Sequence, residues 1–182
     1  MTKLTLCSLA LLSVVALVGA VGQKTTQATL LGAKDRLAAP SFRLEDTSGK
    51  RLRLADFQGK PVAINLWATT CGGCIAELPE FVKLSEAYKN KGLTVIGISL
   101  DIMYEDLKTA AEGWAHVKPF IATHGIKYLI VLDDGSAEKA FNVTALPATY
   151  LVDHAGRLAA TYIGVVDAGN LETNVEALLA ER

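Results

Sequence analysis

The sequence predicts an α/β fold in which helices flank a central mixed sheet, with an N-terminal β-hairpin extension. Three observations predict it. Apolar, β-branched runs at Val62–Trp67 and Leu93–Leu100 alternate with stretches of helical periodicity, which is the pattern of strand, helix, strand units in a parallel sheet. Near the C-terminus, Ala148–Val152 and Leu158–Ile163 instead alternate around the turn residues 153–157, an antiparallel hairpin that makes the sheet mixed. At 182 residues, 51% hydrophobic and 20% charged, the chain has room for one domain with a sizeable core plus an appendage.

The appendage is residues 1–22. Lys3 is followed by the apolar stretch Leu4–Val21, closed by the small residues Gly19, Ala20 and Gly22, the layout of an export signal. Eighteen apolar-rich residues also suffice for a membrane anchor, so the pattern fits both a cleaved signal and a retained tether through residues 4–21. Too few apolar residues precede Cys7 for a lipidation signal, and it reads as inert. Residues 23–38 are small and polar with little periodicity, and read as a linker to a domain at 39–182.

Along that domain, Ser41–Leu44 and Arg51–Leu54 flank the turn residues 45–50 and predict the hairpin. Val62–Trp67 is a buried strand. Ile75, Leu78, Phe81, Val82 and Tyr88 then recur at helical spacing up to Lys91-Gly92, with Pro79 expected to kink or restart the helix. Leu93–Leu100 is a central strand. A second helical stripe runs through Leu107, Ala110, Ala111, Trp114, Val117 and Ile121, bent or broken at Pro119 and ending at His124-Gly125. Tyr128–Leu132 is a strand, Ala137–Phe141 a short helix, and Leu171, Val175, Leu178 and Leu179 mark a closing amphipathic helix.

Charge and cysteine usage narrow the chemistry. Without residues 1–22 the 18 basic residues lose only Lys3 against 19 acidic ones, and no basic patch appears, so nucleic acid is not an expected partner. Beyond the signal only two cysteines remain, both in Cys71-Gly72-Gly73-Cys74, which follows a strand and opens a helix. Free N–H groups and the positive dipole end of the helix stabilise a thiolate there, so Cys71 is the expected attacking sulfur. Cys74, one turn inside, is the expected resolving thiol. A zinc site would need a second Cys or His pair; His116, His124 and His154 lack ligand spacing and read as surface or turn residues. No metal and no cofactor is expected, since the two sulfurs carry the electrons themselves. Glu77 lies three residues beyond Cys74, on nearly the same helix face. By itself it is either a helix-end charge or a proton acceptor, and Trp67 is most simply a core aromatic.

The residues Ala39-Pro40-Ser41-Phe42, Leu66-Trp67-Ala68-Thr69-Thr70-Cys71-Gly72-Gly73-Cys74, Glu77-Leu78-Pro79 and Leu146-Pro147-Ala148-Thr149-Tyr150-Leu151-Val152-Asp153, in this order, closely resemble the TlpA/ResA-like branch of the thioredoxin superfamily. The resemblance spans roughly residues 39–180 and implies a thioredoxin-like fold. It implies that Pro147 is a cis proline facing the redox pair and that Leu146-Pro147 is the edge where an extended substrate docks, although alone Pro147 reads as a trans proline opening a strand. It further implies proton handling by Glu77. Asn65 stands where thioredoxin has a buried aspartate, Thr70 where many relatives place a tryptophan beside the substrate, and Gly73 where a proline is common.

The function so implied is that of an exported thiol-disulfide oxidoreductase in the periplasm or cell envelope, reducing disulfides of other exported proteins, with cytochrome c maturation as one pathway. Its partners would be disulfide-containing exported proteins and a membrane or periplasmic thiol reductant. Two alternatives share the fold. A peroxiredoxin-like peroxidase uses an isolated peroxidatic cysteine. An SCO-like copper chaperone uses C-x-x-x-C with a distal histidine, for which His154, in a hairpin tip, is expected at the wrong end of the sheet.

Overall fold

The computed structural model describes residues 24–181, so the expected export segment 1–22 and its Cys7 lie outside the described residues. Strands β1 (Arg43–Asp46) and β2 (Arg51–Arg53) pair antiparallel, with Leu44 opposite Leu52. The first strand ends two residues later than its apolar pattern suggests because the Asp46 carboxylate caps the turn, accepting the Ser48 and Lys50 N–H groups at 2.8 and 3.0 Å. Then follow β3 (Val62–Trp67), α1 (Gly72–Tyr88), β4 (Thr94–Ser99), the short α2 (Asp101–Tyr104), α3 (Ala110–Thr123), β5 (Leu129–Leu132), α4 (Ser136–Ala140), β6 (Ala148–Val152), β7 (Leu158–Ile163) and α5 (Ala168–Ala180).

The seven strands form one sheet in the order β2-β1-β5-β4-β3-β6-β7. Strands β3, β4 and β5 are parallel, while β1, β6 and β7 close the sheet by antiparallel pairing. All six residues of β3 are buried, which explains its unbroken apolar run. Its period of two sends Ala63 and Trp67 to the core layer containing Cys74, Phe81, Trp114 and Val175, and Ile64 and Leu66 to the opposite layer with Ile98, Phe141 and Tyr150. Side chains such as Phe81 and Ile64, fully removed from water, each stabilise the fold by about 2 kcal/mol.

Helix α1 runs through Pro79 rather than restarting there. Its buried stripe is Cys74, Glu77, Leu78, Phe81, Leu84 and Tyr88, while Ile75, expected in the core, is exposed. The rotation follows from Cys74 and Glu77 occupying the inward positions of the first two turns. Helix α3 likewise runs through Pro119, and Thr109 and Glu112 start it with a reciprocal capping box, so Leu107 precedes it.

Residues 24–38, expected as a linker, are docked on the domain. The Leu31 N–H donates to the Ala159 carbonyl at 2.8 Å, and the Leu37 carbonyl accepts from Leu158 at 2.8 Å. Buried Arg36 bonds Asp153 at 3.2 Å and both carboxylate oxygens of Glu181 at 2.6 and 2.7 Å. Attachment is mainly through hydrogen bonds and one buried arginine, with only Ala28 and Leu30 packed on the core, and leaves no hydrophobic periodicity, which is why the segment reads as unstructured in sequence.

Candidate active site around Cys71 and Cys74

The C-terminal ends of β3 and β4 and the start of β6 meet at one end of the sheet, the place where α/β sheets carry their sites. Cys71 is the N-cap of α1, with extended backbone, and its sulfur accepts the Cys74 N–H at 3.2 Å. Its side chain thus takes the place that a Ser or Asp oxygen takes in an ordinary cap, and a thiolate there is stabilised by the same free donor. Cys71 is half-buried and Cys74 fully buried; the two form a disulfide. Gly73, between them, is crowded: a Cβ there would stand 3.2 Å from Val165 Cγ2 and 3.3 Å from Pro147 Cδ.

Glu77 is 2% exposed. Its Oε1 accepts from Asn65 Nδ2 at 2.7 Å and its Oε2 from the Val166 N–H at 3.0 Å. Burial pushes its carboxyl up to about 7, against these two hydrogen bonds, which favour the ionised form. A carboxylate that gains and loses its proton near neutrality, one helical turn from the buried sulfur, is suited to general acid-base work. Asn65 also donates to Thr149 Oγ1 at 3.1 Å, tying β3 to β6 beneath the helix. Burial, and after it the Glu77 charge, raise the Tyr128 phenol above its ordinary range. Gly97, opposite Asn65 on β4, keeps this layer closed: a Cβ would lie 2.8 Å from Trp67 Nε1 and 2.5 Å from Ile130 Cδ1.

The loop before Cys71 is clamped from β4. Asp101, fully buried, accepts the Thr69 N–H at 3.1 Å, the Thr69 hydroxyl at 2.5 Å and the Ser99 hydroxyl at 2.6 Å. Thr70, next to Cys71 in the chain, is exposed and its hydroxyl donates to Glu105 at 2.5 Å. The Leu146–Pro147 peptide is cis, with Leu146 half-buried and Pro147 close to Gly73.

The structure therefore brings Thr70, Cys71, Cys74, Glu77 and Pro147 to one end of the sheet, with Leu146 next in the chain. Sequence reasoning missed Asp101, whose signal is an acidic residue just past the end of a parallel strand, and the loop Ile163–Asp167, which contributes backbone and Val165 only. His154 lies in the turn joining β6 to β7, at the end of β6 opposite Pro147. Among the described residues no group of three or more His, Cys, Asp or Glu side chains is placed to hold a metal.

The AhpC/TSA family model matches residues 36–161. The chain is 31% identical over 129 residues to the thiol-disulfide oxidoreductase ResA of Bacillus subtilis (strain 168), covering 70% of this chain and 66%, about two thirds, of that one. It is 32% identical over 135 residues to ResA of Bacillus thuringiensis (strain Al Hakam), covering 74% of this chain and 72% of that one. Among solved structures, a thiol:disulfide interchange protein DsbE from Chlorobium tepidum superposes with a TM-score of 0.67 at 26% identity, covering 79% of this chain and 96% of its own.

Proposed function

The chain belongs to the AhpC/TSA family and, within the thioredoxin superfamily, to the ResA-like thiol-disulfide oxidoreductases, and from that premise we propose that it reduces disulfides in other exported proteins through Cys71 and Cys74. The observation that carries the reading is the asymmetry of the pair. One sulfur is half-buried at a helix N-terminus; the other is buried one turn from a carboxyl that titrates near neutrality.

In the reaction the Cys71 thiolate attacks one sulfur of the substrate disulfide, the S–S bond breaks, and the other substrate sulfur leaves as a thiolate. Cys74 then loses its proton to Glu77 and attacks Cys71, releasing the second substrate thiolate and closing the Cys71–Cys74 disulfide. Two electrons pass to the substrate. An exported or membrane thiol reductant restores the dithiol. Thr70, which precedes Cys71, and Leu146-Pro147, whose proline lies close to Gly73, are assigned to the docking edge, where an extended substrate segment adds to the sheet. Cytochrome c maturation, where apoprotein cysteines must be thiols before haem attachment, is the pathway proposed.

No helix among the described residues is long and apolar enough to cross a membrane. Leu4–Val21 is assigned the export role. Thr26 already contacts the loop beside the redox pair, five residues past Val21, so where that segment is kept as a tether Thr26 lies within about 18 Å of its end.

The deciding experiment is the reduction potential of the Cys71/Cys74 couple in a glutathione or dithiothreitol series. A value near or below about -230 mV supports a reductant, whereas one near about -120 mV makes the protein an oxidant. The AhpC/TSA match favours peroxidase chemistry as a second reading; peroxide consumption that survives Cys74→Ser would support it.

A further inference from the structure

The segment following the expected export signal reaches the redox site through the loop Ile163–Asp167. Thr26 forms a parallel bridge with Val166. Its N–H donates to the Val165 carbonyl at 2.7 Å, its carbonyl accepts from Asp167 at 2.9 Å, and its hydroxyl donates to the Ile163 carbonyl at 2.9 Å. Two residues on, the Ala28 N–H donates to Asn170 Oδ1 at 2.9 Å and its carbonyl accepts from Asn174 at 2.9 Å. Five hydrogen bonds hold Thr26 and Ala28 to Ile163–Asn174.

The inner side of the same loop touches the site three times. The Gly164 N–H donates to the Pro147 carbonyl at 2.8 Å, the Val165 side chain lies against Gly73, and the Val166 N–H donates to Glu77 at 3.0 Å. The carbonyl that takes the Thr26 N–H and the amide that serves Glu77 belong to one peptide unit, Val165–Val166. That unit is planar and rigid, so fixing its oxygen from outside fixes the direction of its N–H inside. Donation to the carbonyl also polarises the amide, strengthening its bond to an anionic acceptor.

We propose that Thr26 is a positioning residue for the redox reaction, holding the Val165–Val166 peptide so that its N–H stabilises ionised Glu77 during resolution by Cys74. The docked segment is in this way part of the catalytic apparatus and not only a connection to the signal. The proposal rests on the assignment of Glu77 as proton acceptor, and its test separates the two.

The test uses the full chain with carbon-13 at the glutamate carboxyls, the Glu77 signal being the one that disappears in Glu77→Gln. Thr26→Pro removes the N–H donor and with it the hydroxyl, Thr26→Ser keeps both, and Thr26→Val, which lacks only the hydroxyl, should titrate as wild type. The expected result is a Glu77 titration midpoint raised by about half a unit or more in Thr26→Pro, because a bond favouring the ionised form is weakened, with Thr26→Ser as wild type. The acid limb of the rate at which Cys74 resolves a preformed mixed disulfide on Cys71 should move upward by the same amount. An unmoved Glu77 midpoint in folded Thr26→Pro, even with a lowered melting temperature, overturns the proposal. Should Thr26→Pro fail to fold, Asn170→Ala loosens the neighbouring rung; a smaller upward shift supports the proposal and no shift overturns it. A resolution rate indifferent to Glu77→Gln would instead remove the proton-acceptor assignment, while the carboxyl titration would still report on Thr26.

Discussion

Asn65 Nδ2 donates to Glu77 Oε1 at 2.7 Å, joining the middle of β3 to the second turn of α1 in the buried layer between sheet and helix. A neutral amide here holds the carboxyl without competing for its proton. Asn65→Asp would place two carboxyls in contact, and such a pair shares one proton because both cannot ionise in a dry site. The variant should resemble wild type in denaturant unfolding at pH 5 and be less stable by about 2 kcal/mol or more at pH 8. Equal losses at the two pH values would mean that water reaches the pair.

Glu77 itself makes stability depend on pH. Its carboxyl titrates at about 7 when folded against an ordinary value of 4.5, so the protonated form is favoured by folding. That contribution is fully present below about pH 4.5 and is lost as pH rises through about 7, amounting to roughly 3 kcal/mol. Glu77→Gln, whose amide can still accept from Val166, should flatten the unfolding free energy of the oxidised protein between pH 5 and 8. It should also slow resolution of a mixed disulfide at neutral pH several-fold and lower the pKa of a neighbouring thiol by removing a like charge. An unchanged pH profile of stability and unchanged turnover would reduce Glu77 to a structural charge.

The two cysteines should differ sharply in reactivity. Cys71 has the cap donor and partial exposure; Cys74 has neither. Cys74→Ser should accumulate mixed disulfides through Cys71, and alkylation of the reduced protein at pH 7 should label Cys71 first, with peptide mapping as the readout. Faster labelling of Cys74 would reverse the assigned roles.

Asp101 should matter through the loop it holds. Asp101→Ala leaves the Thr69 N–H and two hydroxyls without their acceptor in a buried site, at a cost of about 3 kcal/mol in stability. Asp101→Asn keeps one acceptor oxygen and should lose less. Because Thr69 and Thr70 lead into the helix cap, the alanine variant should also show a changed Cys71 alkylation rate, measured well below its melting temperature. A loss of stability with unaltered thiol kinetics would show that the clamp serves the fold alone.

The sequence by itself determined what local spacing and period can determine. Cys71, Cys74 and Glu77 stand three residues apart, so any helix beginning at Cys71 places them along one face, and the apolar runs at β3 and β4 require a sheet buried on both sides. The turn residues 153–157 likewise announce the last hairpin. Tertiary structure decided everything that depends on partners distant in the chain. Val166 reaches Glu77 across 89 positions, and Arg36 reaches Asp153 across 117. Asp101 holds Thr69 across 32 positions. Backbone N–H groups and carbonyls supply many of these contacts, and every residue other than proline carries both, so no choice of side chain advertises them. The same holds for the docked segment 24–38, whose composition reads as a linker until the β7 edge and the Val165 carbonyl are there to receive its hydrogen bonds. The near-neutral titration of Glu77 is likewise a product of burial, which the three-dimensional packing creates and helical spacing cannot reveal.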